Sequence, residues 1–259
     1  MKIARFTHHD DIAYGVLDGE DLVVLRSDPL FAGFETTGRR VRLDDVRLLS
    51  PVIPRSKVVG IGKNYADHAA EMNSQVPSEP LMFFIPNTAV IGPDDPIVLP
   101  PWDDVIHHEA ELAVVISRPC KDVPVQRAHE VIFGYTVAND VSARTAQRSD
   151  TTWARAKGFD TSCPLGPVLV IPESAEEFDP AHADVRCLVD GEVRQEANTS
   201  DMIFSIPELI SYVTSVCSLL PGDVILTGTP AGVGEIRHGE RVTCEVAGIG
   251  ELTNPVIRR

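Results

Sequence analysis

The run Ile106-His107-His108-Glu109-Ala110-Glu111-Leu112-Ala113-Val114-Val115-Ile116 constrains this chain more than any other stretch. Its second half is rich in branched apolar residues and its first half alternates, the pattern of a β-strand. Side chains along a strand alternate faces, so Glu109 and Glu111 point the same way, with His107 on that side. His108, Ala110, Leu112, Val114 and Ile116 point the other way, onto a mostly apolar face. One face therefore packs a core while the other carries two carboxylates. Those carboxylates repel each other and cost desolvation when covered. A bound cation makes the arrangement favourable.

The rest of the composition narrows the setting. At 259 residues the chain is one large domain or one domain with a small appendage. A hydrophobic fraction of 43% is enough for a real core. A net charge of −15 argues against nucleic acid or an anionic membrane as partner. It leaves room for a small anionic substrate where cations gather locally. No apolar run reaches the roughly 18–20 residues that span a bilayer, and Met1–Phe6 lacks the apolar stretch of a signal peptide. Five cysteines (120, 163, 187, 217 and 244) are scattered without CxxC spacing, as in a cytoplasmic protein with buried, reduced thiols. A reactive Cys163 would have no base near it in sequence.

Taken in order, residues 1–55 read as a small N-terminal β-rich domain, with strands at Ile3–Phe6, Ala13–Leu17 and Leu22–Leu25 and a hairpin turn at Asp18-Gly19. No chemistry is visible in it. Two prolines in Leu49–Arg55 mark the boundary, and residues 56–259 form the second domain. There Lys57–Ile61, Leu81–Ile85, Ile97–Leu99, Ile132–Val137, Val168–Ile171, Val185–Val189, Val224–Thr227, Arg241–Val246 and Leu252–Ile257 read as strands. Ala66–Met72 and Gln126–Val131 read as short helices. Asp190-Gly191 is a second hairpin signal. Ser205 and Glu208 open a helix as a capping box, and the apolar period Ile206, Leu209, Ile210, Val213, Val216, Cys217, Leu220 carries it as core toward Pro221-Gly222.

Four features carry chemistry. Asp140 stands where a strand runs out into a loop and supplies a third hard oxygen beside Glu109 and Glu111. An all-carboxylate set without cysteine suits Mg²⁺ or Mn²⁺ rather than zinc, even with His107 and His108 adjacent. His68 and Glu71, at i and i+3 of a helix, suit an oriented general base, although the same spacing is common in exposed helical pairs. Arg144, Arg148, Arg155 and Lys157 make the one conspicuously basic segment. It is a solvated helix face unless the metal site needs a cation for an anionic substrate, and Lys157 is then the best candidate. Gly228-Thr229-Pro230-Ala231-Gly232-Val233-Gly234 follows a strand and lacks the Gly-Lys-Ser/Thr of a P-loop. Carboxylate binding by Thr229 and the loop amides is the economical reading.

From about residue 56 onward the chain resembles the fumarylacetoacetate hydrolase family. The resemblance is to its shorter branch of acylpyruvases, oxaloacetate decarboxylases and 2-hydroxyhepta-2,4-diene-1,7-dioate isomerases. The segments that carry it are Gly62–His68, Glu109–Leu112, Asn139–Arg144, Ala156–Thr161, Leu219–Asp223 and Thr227–Pro230, in that order. The resemblance implies an α+β, mostly β fold, a mixed-sheet β-roll or barrel with few helices, usually as a homodimer. It implies Mg²⁺ or Mn²⁺ held by Glu109, Glu111 and Asp140, and a His68–Glu71 dyad on a mobile lid helix that activates water. It places Lys157, Arg144, Gln147 and Thr229 around the substrate, with Lys157 stabilising oxyanion charge. The implied reaction is hydrolysis of a C–C bond in an acylpyruvate-like 2-oxo dicarboxylic acid through a metal-bound pyruvate enolate. Oxaloacetate decarboxylation and double-bond isomerisation on the same site are alternatives, as is an inactive ligand-binding member. Three departures bear on substrate: Ile85 where relatives carry lysine near the site, Thr145 where they carry aspartate, and Lys63 where arginine is frequent.

Overall fold

The computed structural model describes residues 1–9, 11–71 and 76–258. Among them the strand Ala110–Ile116 is buried along its whole length. It lies between Ile132–Asn139 and Val224–Leu226, antiparallel to both. Its even-numbered residues Leu112, Val114 and Ile116 join the larger apolar cluster, and its odd-numbered Ala113 and Val115 join a second one. The face that bears Glu111 is therefore polar only at one end and core for the rest. This is how one strand can carry acids and still be pinned from both sides.

The expected single strand over 106–116 is interrupted at His108-Glu109. Ile106–His107 pairs instead with Ser142–Ala143, and the main strand starts at Ala110 opposite Asn139. The interruption is stabilised locally: Asn139 Oδ1 accepts from Glu109 N at 2.9 Å, and Asp140 N donates to Glu109 O at 2.9 Å. A side-chain acceptor replaces a ladder acceptor, so the two chains part company with no amide left unpaired.

The same sheet continues on one side through the parallel pair Val224–Leu226 and Val58–Gly62 to Leu81–Ile85. On the other side it passes through Cys163–Val170 to Lys2–His8, Asp11–Asp18, Asp21–Leu25 and Thr36–Arg42. The N-terminal strands thus extend the sheet that holds the central strand, through Lys2 opposite Val170 and Ile3 opposite Leu169. A second sheet runs Glu192–Asn198, Asp184–Val189, Arg241–Val246, Gly250–Arg258, Ile97–Leu99.

The hairpins at Asp18-Gly19 and Asp190-Gly191 form, with Gly19 and Gly191 at positive φ. Thr36–Arg42 and Arg47–Leu49 are strands without an apolar alternation; in the first only Val41 is buried. Gln126–Val131 is a 3₁₀ helix over Val125–Val131. The helix that opens at Ser205 spans Ile206–Val216, with Glu208 accepting from Ser205 N at 2.8 Å. It stops short of the expected end, and Val216 and Leu220 are 57% and 41% exposed rather than core. The other short helix covers Ala66–Glu71; Met72 lies outside the described residues. Among the described residues no helix is long and apolar enough to cross a membrane.

Candidate metal centre and active site

Glu109, Glu111 and Asp140 each offer a carboxylate oxygen within 4.8 Å of the others, and all three are buried. Two of them come from the two ends of the interruption just described, because Glu109 precedes the main strand and Asp140 follows its neighbour. Glu109 Oε1 accepts from Arg144 Nη2 at 2.5 Å and Oε2 from Lys157 Nζ at 2.7 Å. Lys157 Nζ also donates to Asp140 Oδ2 at 2.6 Å. Gly228 N donates to Glu111 Oε2 at 2.6 Å. Three buried acids thus face two buried cations.

The titration directions follow from that imbalance. Burial disfavours charge on Glu109, but Lys157 and Arg144 overcome it and hold this carboxyl well below the usual range. Burial, joined by repulsion from Asp140 and Glu109, drives Glu111 well above the usual range. Burial pushes Asp140 up to about 7 against the pull of Lys157. Glu109 is thus favoured as the anion, while Glu111 and Asp140 hold their protons more tightly than a free carboxylate does.

A divalent cation fits this group. Among the described residues nothing hydrogen-bonds Asp140 Oδ1, which is buried. An orphaned carboxylate oxygen facing two more acids is a free ligand position for a hard cation. No histidine joins the cluster among the described residues. His107 sits in the short ladder with Ser142, and burial and then Arg144 lower it to about 4, so it stays neutral. His108 turns away and pairs through Nδ1 with Gln195. Among the described residues the donor set is all carboxylate, which suits a hard divalent cation.

A cavity of about 150 Å³ opens over the acids, lined among others by His68, Glu109, Glu111, Arg144, Gln147, Lys157 and Thr229. Seven of the nine residues expected at the site lie in this wall, and the other two bond to it directly, Asp140 through Lys157 and Glu71 through His68. His68 Nδ1 lies 3.3 Å from Glu71 Oε2; a carboxylate only accepts, so Nδ1 carries the proton and Nε2 is the basic nitrogen. Glu71 also accepts from Gly232 N at 3.2 Å. Arg144 Nη1 donates to Gln147 Oε1 at 2.7 Å, which sets the direction of that amide.

The glycine-rich loop behaves differently from the simplest reading of it. Its Gly228 and Gly232 amides hold the protein's own carboxylates, Glu111 and Glu71. Thr229 donates its hydroxyl proton to Ala110 O at 2.9 Å. Of the basic segment, Arg144 and Lys157 are buried at the acids, Arg148 lines the cavity, and Arg155 is tied outside to Asp150 at 2.6 Å. Burial raises the Cys163 thiol, with Asp140 and Glu111 adding to it, so it is no nucleophile.

Of the three departures, Lys63 lines the cavity. Ile85 does not: it is buried in the second apolar cluster with Val58 and Val224, which corrects its expected place beside the site. Thr145 is exposed on the outer side of its helix. Trp153 is a wall residue that sequence reasoning did not single out. It packs over Gly62, where an added Cβ would lie 2.8 Å from its ring, a contact between segments far apart in the chain.

The chain is similar to known proteins over its whole length. The model of the fumarylacetoacetate (FAA) hydrolase C-terminal family matches residues 57–257, and an N-terminal family described as Rv2993c-like matches residues 1–51. The chain is 44% identical to the mitochondrial oxaloacetate tautomerase FAHD2A of Bos taurus, over 82% of this chain and 70% of that protein. It is 49% identical to 5-carboxymethyl-2-hydroxymuconate delta-isomerase from Mycobacterium smegmatis, whose crystal structure it matches at TM-score 0.91 with both chains fully covered. Fumarylpyruvate hydrolase from Pseudomonas aeruginosa, solved with Mn²⁺ and pyruvate, is similar at 33% identity and TM-score 0.74, covering 82% of this chain and 92% of that one.

Proposed function

Because the chain belongs to the fumarylacetoacetate hydrolase family, we propose that it is a divalent-metal-dependent enzyme that moves a proton next to the carbonyl of a small 2-oxo dicarboxylic acid, tautomerising or isomerising it. One observation carries the reading. The buried acids Glu109, Glu111 and Asp140, the bridging Lys157 and the base His68 meet at one cavity. Glu109, Glu111 and Asp140 would hold the cation. Bound there, Mg²⁺ or Mn²⁺ supplies Lewis-acid stabilisation of negative charge on substrate oxygens.

The remaining work belongs to the chain's own groups. His68 Nε2 takes a proton from the carbon beside the carbonyl, while Glu71 holds Nδ1–H and stabilises the imidazolium that forms. The electron pair of the broken C–H bond moves to the carbonyl oxygen, and the proton returns to that oxygen or to a second carbon. Lys157 and Arg144 bring positive charge to a site that otherwise repels anions. Lys63 and Arg148 on the wall suit the second carboxylate of the substrate, and the apolar surface of Trp153 and Ile61 in the same wall helps to exclude water.

Hydrolytic C–C cleavage of an acylpyruvate is the second reading. The His68–Glu71 pair supports it, since an oriented base at the cavity also serves to deprotonate an attacking water. A chelator-stripped preparation given oxaloacetate and acetylpyruvate, with and without Mn²⁺, separates the two. Metal-dependent loss of the enol form of oxaloacetate is the expected result. Acetylpyruvate cleavage without it would replace the first reading by the second, and no turnover of either in Mn²⁺ would overturn both. The homodimer that the resemblance implies is likewise proposed; sedimentation equilibrium at the mass of one chain overturns it.

A further inference from the structure

Gln195 is a buried polar side chain that the chemistry above leaves without a part. It lies on Glu192–Asn198, the edge strand of the second sheet, whose other residues are exposed or half-buried. The register slips beside it: Cys187 pairs with Gln195 but Leu188 pairs with Val193, so Arg194 is an extra residue. A bulge of this kind bends a strand and re-aims its side chains. Here it sends the Gln195 amide across to the main sheet.

All four hydrogen-bonding capacities of that amide are used. Oε1 lies 3.0 Å from Ala110 N and 3.0 Å from His108 Nδ1, and Nε2 donates to Thr229 Oγ at 2.7 Å and to Pro230 O at 2.8 Å. Ala110 N can only donate and Pro230 O can only accept, so the orientation of the amide is fixed by its surroundings. His108 and Ala110 are the neighbours of Glu109 in the chain. Thr229 closes the ring by donating back to Ala110 O.

The loop is also pressed onto the bulge. A Cβ at Gly232 would lie 2.1 Å from Arg194 O, and Gly232 N is the amide that holds Glu71. One bulged edge strand therefore meets the metal-ligand strand, the Thr229 loop and the seat of the dyad's acid.

We propose that Gln195 is a positioning residue. It sets the separation between Glu109 and the Thr229–Gly232 loop, and through Gly232 the place of Glu71. It acts through those groups, since it is not among the residues lining the cavity. The proposal rests on the reading of this cavity as a metal-dependent active site. A glutamate in its place keeps an acceptor for Ala110 and His108 and loses the donors to Thr229 and Pro230. A methionine loses all four bonds at similar volume.

The test uses full-length Gln195→Glu and Gln195→Met proteins, with Mn²⁺ affinity by calorimetry, kcat and KM on oxaloacetate, and circular dichroism to confirm the fold. Gln195→Glu is expected to keep Mn²⁺ affinity near that of the parent while kcat falls about tenfold or more. Gln195→Met is expected to lose about tenfold or more in both. Parent-like affinity and turnover in both folded variants overturns the proposal. Equal losses in both, which a merely structural role would produce, overturn it too. If the parent turns over nothing, the functional reading fails, and the Mn²⁺ difference between the variants still decides the role of Gln195. If neither variant folds, titrating the parent with Mg²⁺ must shift the Gln195 side-chain amide signals in a ¹H–¹⁵N spectrum, and unmoved signals overturn the proposal.

Discussion

Lys157 Nζ stands 2.6 Å from Asp140 Oδ2, with each side chain 2% exposed. The ammonium also bonds Glu109, so it balances two acids that are too close to share a buried space otherwise. Removing one partner of such a cluster leaves uncompensated charge, at a cost of about 3–5 kcal/mol where the remaining groups cannot take up protons. Lys157→Met should lower the melting temperature of metal-free protein, and added Mg²⁺ should restore part of it. Turnover of oxaloacetate should stay at least about a hundredfold down even in saturating metal, through loss of the charge facing the substrate. An unchanged melting curve in chelator would contradict the balancing role.

Asp140 predicts a pH dependence with a definite sign. Its folded-state value of about 7 lies above the ordinary carboxylate value. Folding therefore binds its proton more tightly than the unfolded chain does. The stability it contributes is present below the unfolded value and is lost as pH rises through about 7. A cation competes with that proton. The gain in melting temperature on adding Mg²⁺ should be larger at pH 8 than at pH 5.5, and calorimetry should record proton release on binding near pH 6. A larger gain at the lower pH would sink this assignment.

His68 and Glu71 separate base from ligand. Neither belongs to the carboxylate cluster, so His68→Ala should bind Mn²⁺ as the parent does while proton transfer falls by about 10²–10⁴. Any spontaneous decarboxylation of bound oxaloacetate, which needs no base, should persist in that variant. Calorimetry and paired rate measurements check both statements, and equal loss of tautomerisation and decarboxylation would merge roles that are kept apart here.

Gly232 is required for two reasons at once: φ is +95°, and a Cβ would meet Arg194 O. Gly232→Ala should destabilise the protein by about 1–3 kcal/mol from backbone strain alone, read as the urea midpoint. It should also lower kcat, because the amide that holds Glu71 moves. A destabilised variant with parent kcat would detach the loop from the dyad.

How much of this was legible in the chain depended on the distance between partners. Glu109 with Glu111, and His68 with Glu71, are local pairs whose geometry follows from strand and helix periods, and both pairs meet at the cavity. Asp140 was reachable because it ends a strand. The interruption at His108-Glu109 was not, because it depends on Asn139 reaching across from a neighbouring strand. Gln195 was invisible for the same reason: its partners lie 85 and 34 residues away, on a strand with no apolar pattern. Val216 and Leu220 kept a helical period that the chain abandons at Val216, so pattern alone overstated the core there.

The continuity of the large sheet makes the N-terminal strands more than an attachment. A chain beginning at residue 56 would retain every group at the cavity. It would also uncover the Lys2–Ile3 side of Cys163–Val170 and the apolar surface that Ile3 covers in the second cluster. An open strand edge beside exposed apolar surface is a template for other chains to pair with. A chain cut at residue 56 is therefore expected to self-associate through that edge, a loss of solubility that light scattering would record.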